Sequence, residues 1–307
     1  MKIKSIRDNL KVKDKVLVVL LLFFVICMSI LCWFTSIQLI FLPTLGVLLI
    51  LIISIQLNEA RRRQVGFERL LQLHAQNYAR IESLFSIFST VNMIAPLPPM
   101  RGWGISPDFA NLIVLLVRQI RPNLILELGS GVSTLIAAYS LKQIGQGQVI
   151  SIDHDGKFAE TTRARLQEHE LQDVATIIHA PLTELPLERG KQLWYDLSTL
   201  NKENLNVDLL IVDGPPGETC PLARYPALPL LWNCLSDKAV VLLDDFKRED
   251  EKKIVELWKY EFNQFTTEVI DTERGSIIMR KSRGTKKPEH SGPYDGNFHH
   301  QNLAVHQ

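Results

Sequence analysis

The chain has 307 residues, with 34 Lys and Arg against 33 Asp and Glu, a formal net charge of +1. That length holds one large domain or two smaller ones, and the charge balance gives no global field that would recruit nucleic acid. Four cysteines without a C-x-x-C pair exclude a disulfide framework and a Cys-based zinc site, and they read as small neutral side chains.

No charged residue occurs from Val16 to Asn58. A membrane-spanning helix needs about 20 apolar residues, so this stretch holds two spans, at 16–34 and 39–57, joined by Thr35-Ser36-Ile37-Gln38. Lys2, Lys4, Arg7, Lys11, Lys13 and Lys15 make residues 1–15 basic, and Arg61-Arg62-Arg63 follow the second span. The positive-inside rule then places both ends in the cytoplasm and the hairpin tip outside, as in a two-pass protein of a bacterial inner membrane. A cleaved signal peptide is the rival reading; the apolar stretch is too long for one and has no small-residue cleavage site.

Residues 58–94 carry Phe67, Leu70, His74, Tyr78, Ile81, Phe85, Phe88 and Val91 at three-to-four spacing, the pattern of an amphipathic helix. Such a helix can pack on its own domain, lie on the bilayer or pair with a second copy to make a homo-oligomer. Ala95-Pro96-Leu97-Pro98-Pro99 stops it. Trp103, between two glycines, is either a lid or an edge-packing side chain. Ser106-Pro107 opens a further helix at 108–120 as N-cap and first-turn proline.

From there strands and helices alternate. Strands are expected at 124–128, 148–153, 175–179, 207–213 and 239–244. Helices are expected at 134–144, 156–169, within 187–200, at 223–234 and at 249–262. This order implies a parallel sheet covered on both faces, which binds ligands at the carboxyl ends of its strands. A hairpin at 266–270 and 276–280 closes a domain spanning 95–281. The polar tail at 282–307, with four of the eight histidines, reads as disordered rather than as a metal site.

The expected strands end in Glu127, Asp153, His179, Asp213 and Asp244-Asp245. Packing gives a core strand no reason to finish in an acid, so this edge faces water, a ligand or a cation. After the first strand comes Gly129-Ser130-Gly131, a turn that lets backbone N–H groups approach a ligand. Asp153 lies 22 residues beyond Gly131, where an acid can accept hydrogen bonds from ribose hydroxyls. The third glycine of G-x-G-x-x-G is Thr134, and Glu127 would repel a pyrophosphate but suits an ammonium group. Both observations weigh against a nicotinamide cofactor.

With ELGSG at 127–131, SIDHD at 151–155, HAPL at 179–182, VDLLIVDGPPG at 207–217 and VVLLDD at 240–245, the chain resembles class I S-adenosylmethionine-dependent methyltransferases over 106–281. The resemblance implies an α/β, Rossmann-like seven-stranded sheet with a C-terminal antiparallel hairpin, here preceded by a transmembrane hairpin and a long amphipathic helix. It assigns Glu127, Gly129, Ser130 and Gly131 to the methionine part of the cofactor and Asp153 to the ribose. His154 falls beside the ribose or adenine, His179 and Ala180 border the adenine, and Asp213 closes the pocket below the sulfonium.

Within that superfamily the pattern looks most like small-molecule and sugar O-methyltransferases. Those hold a divalent ion on acids matching Asp213, Asp244 and Asp245, which would make these three both metal ligands and catalytic residues. Mg²⁺ suits such oxygens and would lower the pKa of a substrate hydroxyl; capping of the following turn by Asp244 and Asp245 is the alternative. One departure is Gly214-Pro215-Pro216 where relatives carry a proton acceptor, which leaves His154, Glu218 and Lys247 as candidate bases. Arg224-Tyr225 could meet an anionic or sugar group, or be a surface Arg beside a packed Tyr.

The reading is a membrane-anchored methyltransferase acting on a hydroxyl of a small molecule or lipid-linked glycan, with no nucleic-acid partner. Two alternatives are an inactive methyltransferase-like membrane scaffold and a nicotinamide-dependent oxidoreductase.

Overall fold

The computed structural model describes residues 19–31, 33, 38–100, 102, 104–187, 190–202, 205–262 and 264–282. The basic N-terminus, most of the expected connection at 35–38, Trp103 and the tail beyond Ser282 lie outside the described residues. The chain divides into two units, Met1–Ala75 and Gln76–Gln307.

The first unit holds an apolar helix, α1 (Val19–Leu31), and most of α2 (Gln38–Thr90). Among the described residues one helix is long and apolar enough to cross a membrane, not the expected pair. The second expected span and the connecting helix are one 53-residue helix. The onset of charge at Glu59 changes the helix surface, but residues 58–65 contain no proline or glycine to end it. Its apolar side chains, among them Val47, Leu49, Ile50 and Phe67, are exposed.

The second unit begins its α/β core with α3 (Pro107–Ile120), whose N-cap Ser106 accepts a hydrogen bond from the Phe109 N–H at 3.4 Å. The sheet is built from β1 (Leu124–Leu128), β2 (Gln148–Asp153), β3 (Ala175–His179), β6 (Val207–Val212), β7 (Leu235–Leu243), β8 (Phe265–Ile270) and β9 (Ser276–Lys281). Their order is β3-β2-β1-β6-β7-β9-β8. The first five are parallel, and β9 runs antiparallel to both its neighbours. Side chains alternate between two buried clusters. Ile125, Leu209, Ile211 and Leu242 join Phe109, Ile113, Leu135 and Ile136 on one face. Leu126, Leu210, Val212 and Leu243 join Leu228, Ile254 and Trp258 on the other. The faces are covered by α4 (Val132–Ile144) and α5 (Gly156–Glu168), and by α6 (Ala227–Leu231) and α7 (Glu249–Glu261) respectively.

The structure corrects the sequence reading at two elements. Residues 187–200, expected to contribute a helix, instead supply β5 (Gly190–Tyr195), paired antiparallel with β4 (Leu182–Leu187) outside the main sheet. Pro186 disfavours a helix, Gly190 takes a φ of 113°, and the pairing seats Trp194 and Tyr195 fully in the core. The helix expected at 223–234 shortens to α6 and a single tight turn at Trp232–Cys234, because Pro226 restricts Tyr225 before it.

Gly147, entering β2, has a φ of 91°, and a Cβ there would lie 2.3 Å from the Pro122 carbonyl oxygen. Gly147→Ala therefore combines left-handed strain with a backbone clash and is expected to cost about 2 kcal/mol or more. Thermal unfolding of the full chain should show the midpoint falling by several degrees; an unchanged midpoint would mean the turn relaxes freely.

Candidate active site

Strand register gathers the site. Leu128 pairs with Ile152 and with Val212, and Val212 pairs with Leu243. The residues that follow this row, Gly129, Asp153, Asp213 and Asp244, therefore share one edge. β1 lies between β2 and β6, where the chain's winding reverses, the place at which open α/β sheets form ligand crevices. A cavity of about 450 Å³ opens here, walled by Gly129, Ser130, Asp153, His154, Tyr195 and Asp213 among others. The two glycines of facing loops nearly touch: a Cβ on Gly129, whose φ is 96°, would lie 3.3 Å from the Gly214 nitrogen.

Asp153 ties the glycine turn to β2. Its Oδ2 accepts from the Ser130 N–H at 3.0 Å and the Ser130 hydroxyl at 2.5 Å, and its Oδ1 accepts from the Asp155 N–H at 3.0 Å. Asp155 in turn caps α5, accepting from Lys157 and Phe158, and these N–H bonds hold its carboxyl below the ordinary range. His154 lines the cavity, with Nδ1 3.6 Å from Asp153 Oδ1.

Glu127 stands under the turn rather than on the cavity wall. It is fully buried; its Oε2 accepts from the Thr134 hydroxyl, which accepts from the Gly131 N–H at 3.0 Å, while Oε1 has no partner among the described residues. Burial pushes its pKa up to about 7, against the pull of the neighbouring Ser133, Thr134 and Ser151 hydroxyls. His179 and Ala180 are also off this wall. The exposed His179 has Nε2 3.2 Å from the His154 carbonyl oxygen, and Ala180 donates its N–H to the Asp153 carbonyl at 2.7 Å. Of the candidate bases only His154 reaches this cavity. Lys247 Nζ is bound to the Thr272 carbonyl at 2.7 Å and paired with Asp271 at 2.8 Å, and Glu218 is exposed elsewhere.

Two residues gain a place that the sequence did not assign. Tyr195 is fully buried, lines the cavity, and has a hydroxyl without a partner among the described residues. Burial first, then the Asp153 carboxylate, pushes that hydroxyl well above its ordinary range, so it stays an O–H donor. A Cβ on Gly214 would fall 2.2 Å from the Tyr195 oxygen, so glycine at 214 makes its room. The alternation leading to Trp194-Tyr195 was the available signal, obscured by the helical reading.

Arg224 is the other, at 2% exposure. Its Nη2 lies 2.8 Å from Asp245 Oδ2, 3.3 Å from Asp213 Oδ1 and 2.8 Å from the Asp213 carbonyl oxygen. Its Nη1 donates to the Asp244 carbonyl at 3.0 Å and lies 3.8 Å from Glu251. Neither expectation for Arg224, a surface position or a direct substrate contact, describes this place. The signal was present: three acids at one edge require a cation.

Asp213, Asp244 and Asp245 do come together, with carboxylate oxygens within 4.8 Å of one another. Their donor type suits a divalent ion. A cation is already present, because Arg224 sits among them and Arg248 Nη1 holds Asp245 Oδ2 at 3.0 Å. Burial, then the charges of Asp213 and Asp245, raises Asp244 to about 8; burial raises Asp213 to about 6 against the pull of Arg224. Arg224 and Arg248 therefore share the oxygens of the trio expected to hold a metal.

The raised Glu127 pKa has a sign that can be checked. Folding holds a proton on Glu127 that the unfolded chain releases near its ordinary value of 4.5, so the associated stability, present below that pH, is lost as pH rises through about 7. Glu127→Gln is expected to reduce the fall in unfolding free energy between about pH 5 and pH 8 by on the order of 2 kcal/mol. Asp244 adds the same sign, so the fall should shrink without vanishing. An unaltered pH dependence in the variant would place the titration elsewhere.

A family model described as "Methyltransferase domain" matches residues 126–246. No curated protein matches the chain. Among solved structures, a methyltransferase from Geobacter sulfurreducens is 18% identical, with a TM-score of 0.41, 56% of this chain and 78% of that chain covered. An O-methyltransferase from Bacillus cereus in complex with SAH is 19% identical, with a TM-score of 0.46 and coverage of 67% and 91%. TomG, an O-methyltransferase from Streptomyces achromogenes in complex with SAM, is 17% identical, with a TM-score of 0.46 and coverage of 59% and 82%. These scores describe a loose likeness and say nothing of the acceptor. The stretch that this family model matches, residues 126–246, contributes the glycine turn, Asp153, Tyr195, Asp213 and Arg224.

Proposed function

We propose that this domain transfers the methyl group of S-adenosylmethionine to a hydroxyl of a membrane- or envelope-associated acceptor such as a lipid-linked sugar. The observation that carries the reading is the cavity at the strand carboxyl edge, where Asp153 and the Gly129–Ser130–Gly131 turn are hydrogen-bonded into one wall. The donor supplies an electrophilic methyl carbon on a sulfonium. Asp153 offers carboxylate lone pairs to ribose hydroxyls, and the Asp153 and Asp213 side chains give the cavity the negative field that a sulfonium requires. His154, the one candidate base on the wall, takes the acceptor proton. Tyr195 contributes a neutral hydroxyl, which has no partner among the described residues.

The acceptor class rests on α2, whose Pro43–Thr90 segment is long and apolar enough to cross a bilayer. Tethering an enzyme to the bilayer raises its effective concentration toward a lipid-anchored substrate. The domain is read as cytoplasmic, on the Arg61-Arg62-Arg63 flank of the apolar stretch.

Titration calorimetry on the full chain in detergent tests the donor. Micromolar S-adenosylmethionine binding is expected, weakened roughly 10- to 100-fold by Asp153→Ala, the loss of a charged hydrogen-bonding partner. A folded wild type that binds no donor would sink the reading. Tyr195→Phe should weaken donor binding roughly 5-fold while raising the unfolding midpoint, because it removes an unpaired buried hydroxyl. Loss of stability on that change would mean the hydroxyl already has a structural partner. For the acceptor, methyl-labelled donor mixed with envelope lipid extract should leave label in the lipid fraction; label in the aqueous fraction alone would refute a lipid-linked acceptor.

A further inference from the structure

We infer that Arg224 is the resident cation of this site, so that the Asp213, Asp244 and Asp245 trio is held by a guanidinium in the place of a divalent ion. For its consequence, methyl transfer without a metal, the inference rests on the proposed function; the electrostatic claim stands on the geometry alone.

Three observations carry it. The first is occupancy of the oxygens. Asp245 Oδ2 receives both Arg224 Nη2 at 2.8 Å and Arg248 Nη1 at 3.0 Å, and Asp213 Oδ1 faces Arg224 Nη2 at 3.3 Å. Asp244 gives its carbonyl to Arg224 and accepts from the Ser276 hydroxyl at 3.3 Å through Oδ1, which leaves Oδ2 alone without a partner. Two of the three carboxylates thus already give an oxygen to a guanidinium, which competes with the octahedral oxygen set that Mg²⁺ prefers.

The second is charge. Asp213, Asp244, Asp245 and Glu251 surround Arg224, with Arg248 beside Asp245 and 3.8 Å from Glu251. A divalent ion seated on the trio would lie within a few ångströms of a buried guanidinium, and the repulsion between them would be poorly screened.

The third is that Arg224 has nowhere else to go. Its side chain is 3% exposed. On one side the Leu222 N–H is fixed to Asp250 Oδ2 at 3.2 Å. On the other the Tyr225 carbonyl accepts from Trp258 Nε1 at 2.9 Å and the Tyr225 hydroxyl donates to Glu261 at 2.8 Å. The backbone at 224 is thereby pinned between α7 contacts, and swinging the guanidinium to solvent would take the partner from Asp213 and leave Asp245 and Glu251 to Arg248 alone. Arg224 acts as a positioning residue: it sets the Asp213 carboxyl on the cavity wall through both that side chain and the Asp213 carbonyl.

The test is Mn²⁺ titration of the full chain in detergent, read by the electron paramagnetic resonance of free Mn²⁺, beside donor titration with and without EDTA. Wild type is expected to take up no stoichiometric Mn²⁺ at millimolar concentration, and EDTA should leave donor affinity unchanged. Arg224→Met should gain one Mn²⁺, lost again on adding Asp244→Asn. One equivalent of Mn²⁺ on wild type, abolished by Asp244→Asn, would overturn the inference, and that arm stands even if Arg224→Met fails to fold. A folded Arg224→Met that takes no Mn²⁺ would also overturn it. Absence of donor binding with the Mn²⁺ result as expected would instead refute the proposed function and leave the cation assignment in place.

Discussion

Carboxylates converging on one sheet edge must be neutralised or they push the edge apart, and in this protein the neutralising group is the buried Arg224 guanidinium. The constraint begins with strand register. Once Leu128, Val212 and Leu243 align, Asp213 and Asp244 are neighbours whatever their chemistry. A planar fork of donors suits this geometry better than a lysine would, because it reaches two carboxylates and two backbone carbonyls at once. Asp245 at a φ of 61° is part of the same arrangement: the left-handed turn points its carboxylate back at Arg224 and Arg248.

A second pair of acids, Asp153 and Glu127, shows how depth divides roles among chemically similar groups. Asp153 ends β2 at the cavity, with N–H and hydroxyl donors around it. Glu127 lies one residue inside the end of β1, on the face toward α4, beneath the glycine turn. Its bond to Thr134 and the Thr134 bond to Gly131 brace the turn from below, so the sequence position that resembles a methionine-binding acid is structural in this arrangement. The proton it keeps to about pH 7 follows from that depth.

Much of the domain was legible in the sequence because its signals are local. Apolar runs ending in acids located the parallel strands, the Gly129-Ser130-Gly131 turn located the crevice, and the spacing to Asp153 brought the second strand to it. What escaped depends on distant partners. Tyr195 was hidden because β5 is defined by pairing with β4, and Arg224 because burial of a guanidinium depends on acids from the ends of two strands and a helix. The continuous α2 was missed for a different reason. Charge at Glu59 was read as a boundary, although helices end at caps, glycines and prolines rather than where polarity changes.

Under the proposed reaction, the Arg224 arrangement settles a conflict within the site. A sulfonium donor is favoured by negative charge, yet an acceptor hydroxyl losing its proton becomes negative beside the same wall. Fully ionised carboxylates at positions 213, 244 and 245 would favour the donor and oppose the nucleophile, and only differences between ground and transition state alter the rate. A divalent ion resolves this by holding the alkoxide itself. A guanidinium behind the carboxylates resolves it differently: it lowers the net field of Asp213 and Asp245, while Asp153 stands where the donor's ribose would lie. Acceptor activation then falls to His154, beside Asp153, which shares the burden of the positive charge that forms as the imidazole takes a proton. The carboxylates of one sheet edge thereby separate into a donor-binding half and a neutralised half, divided at β1.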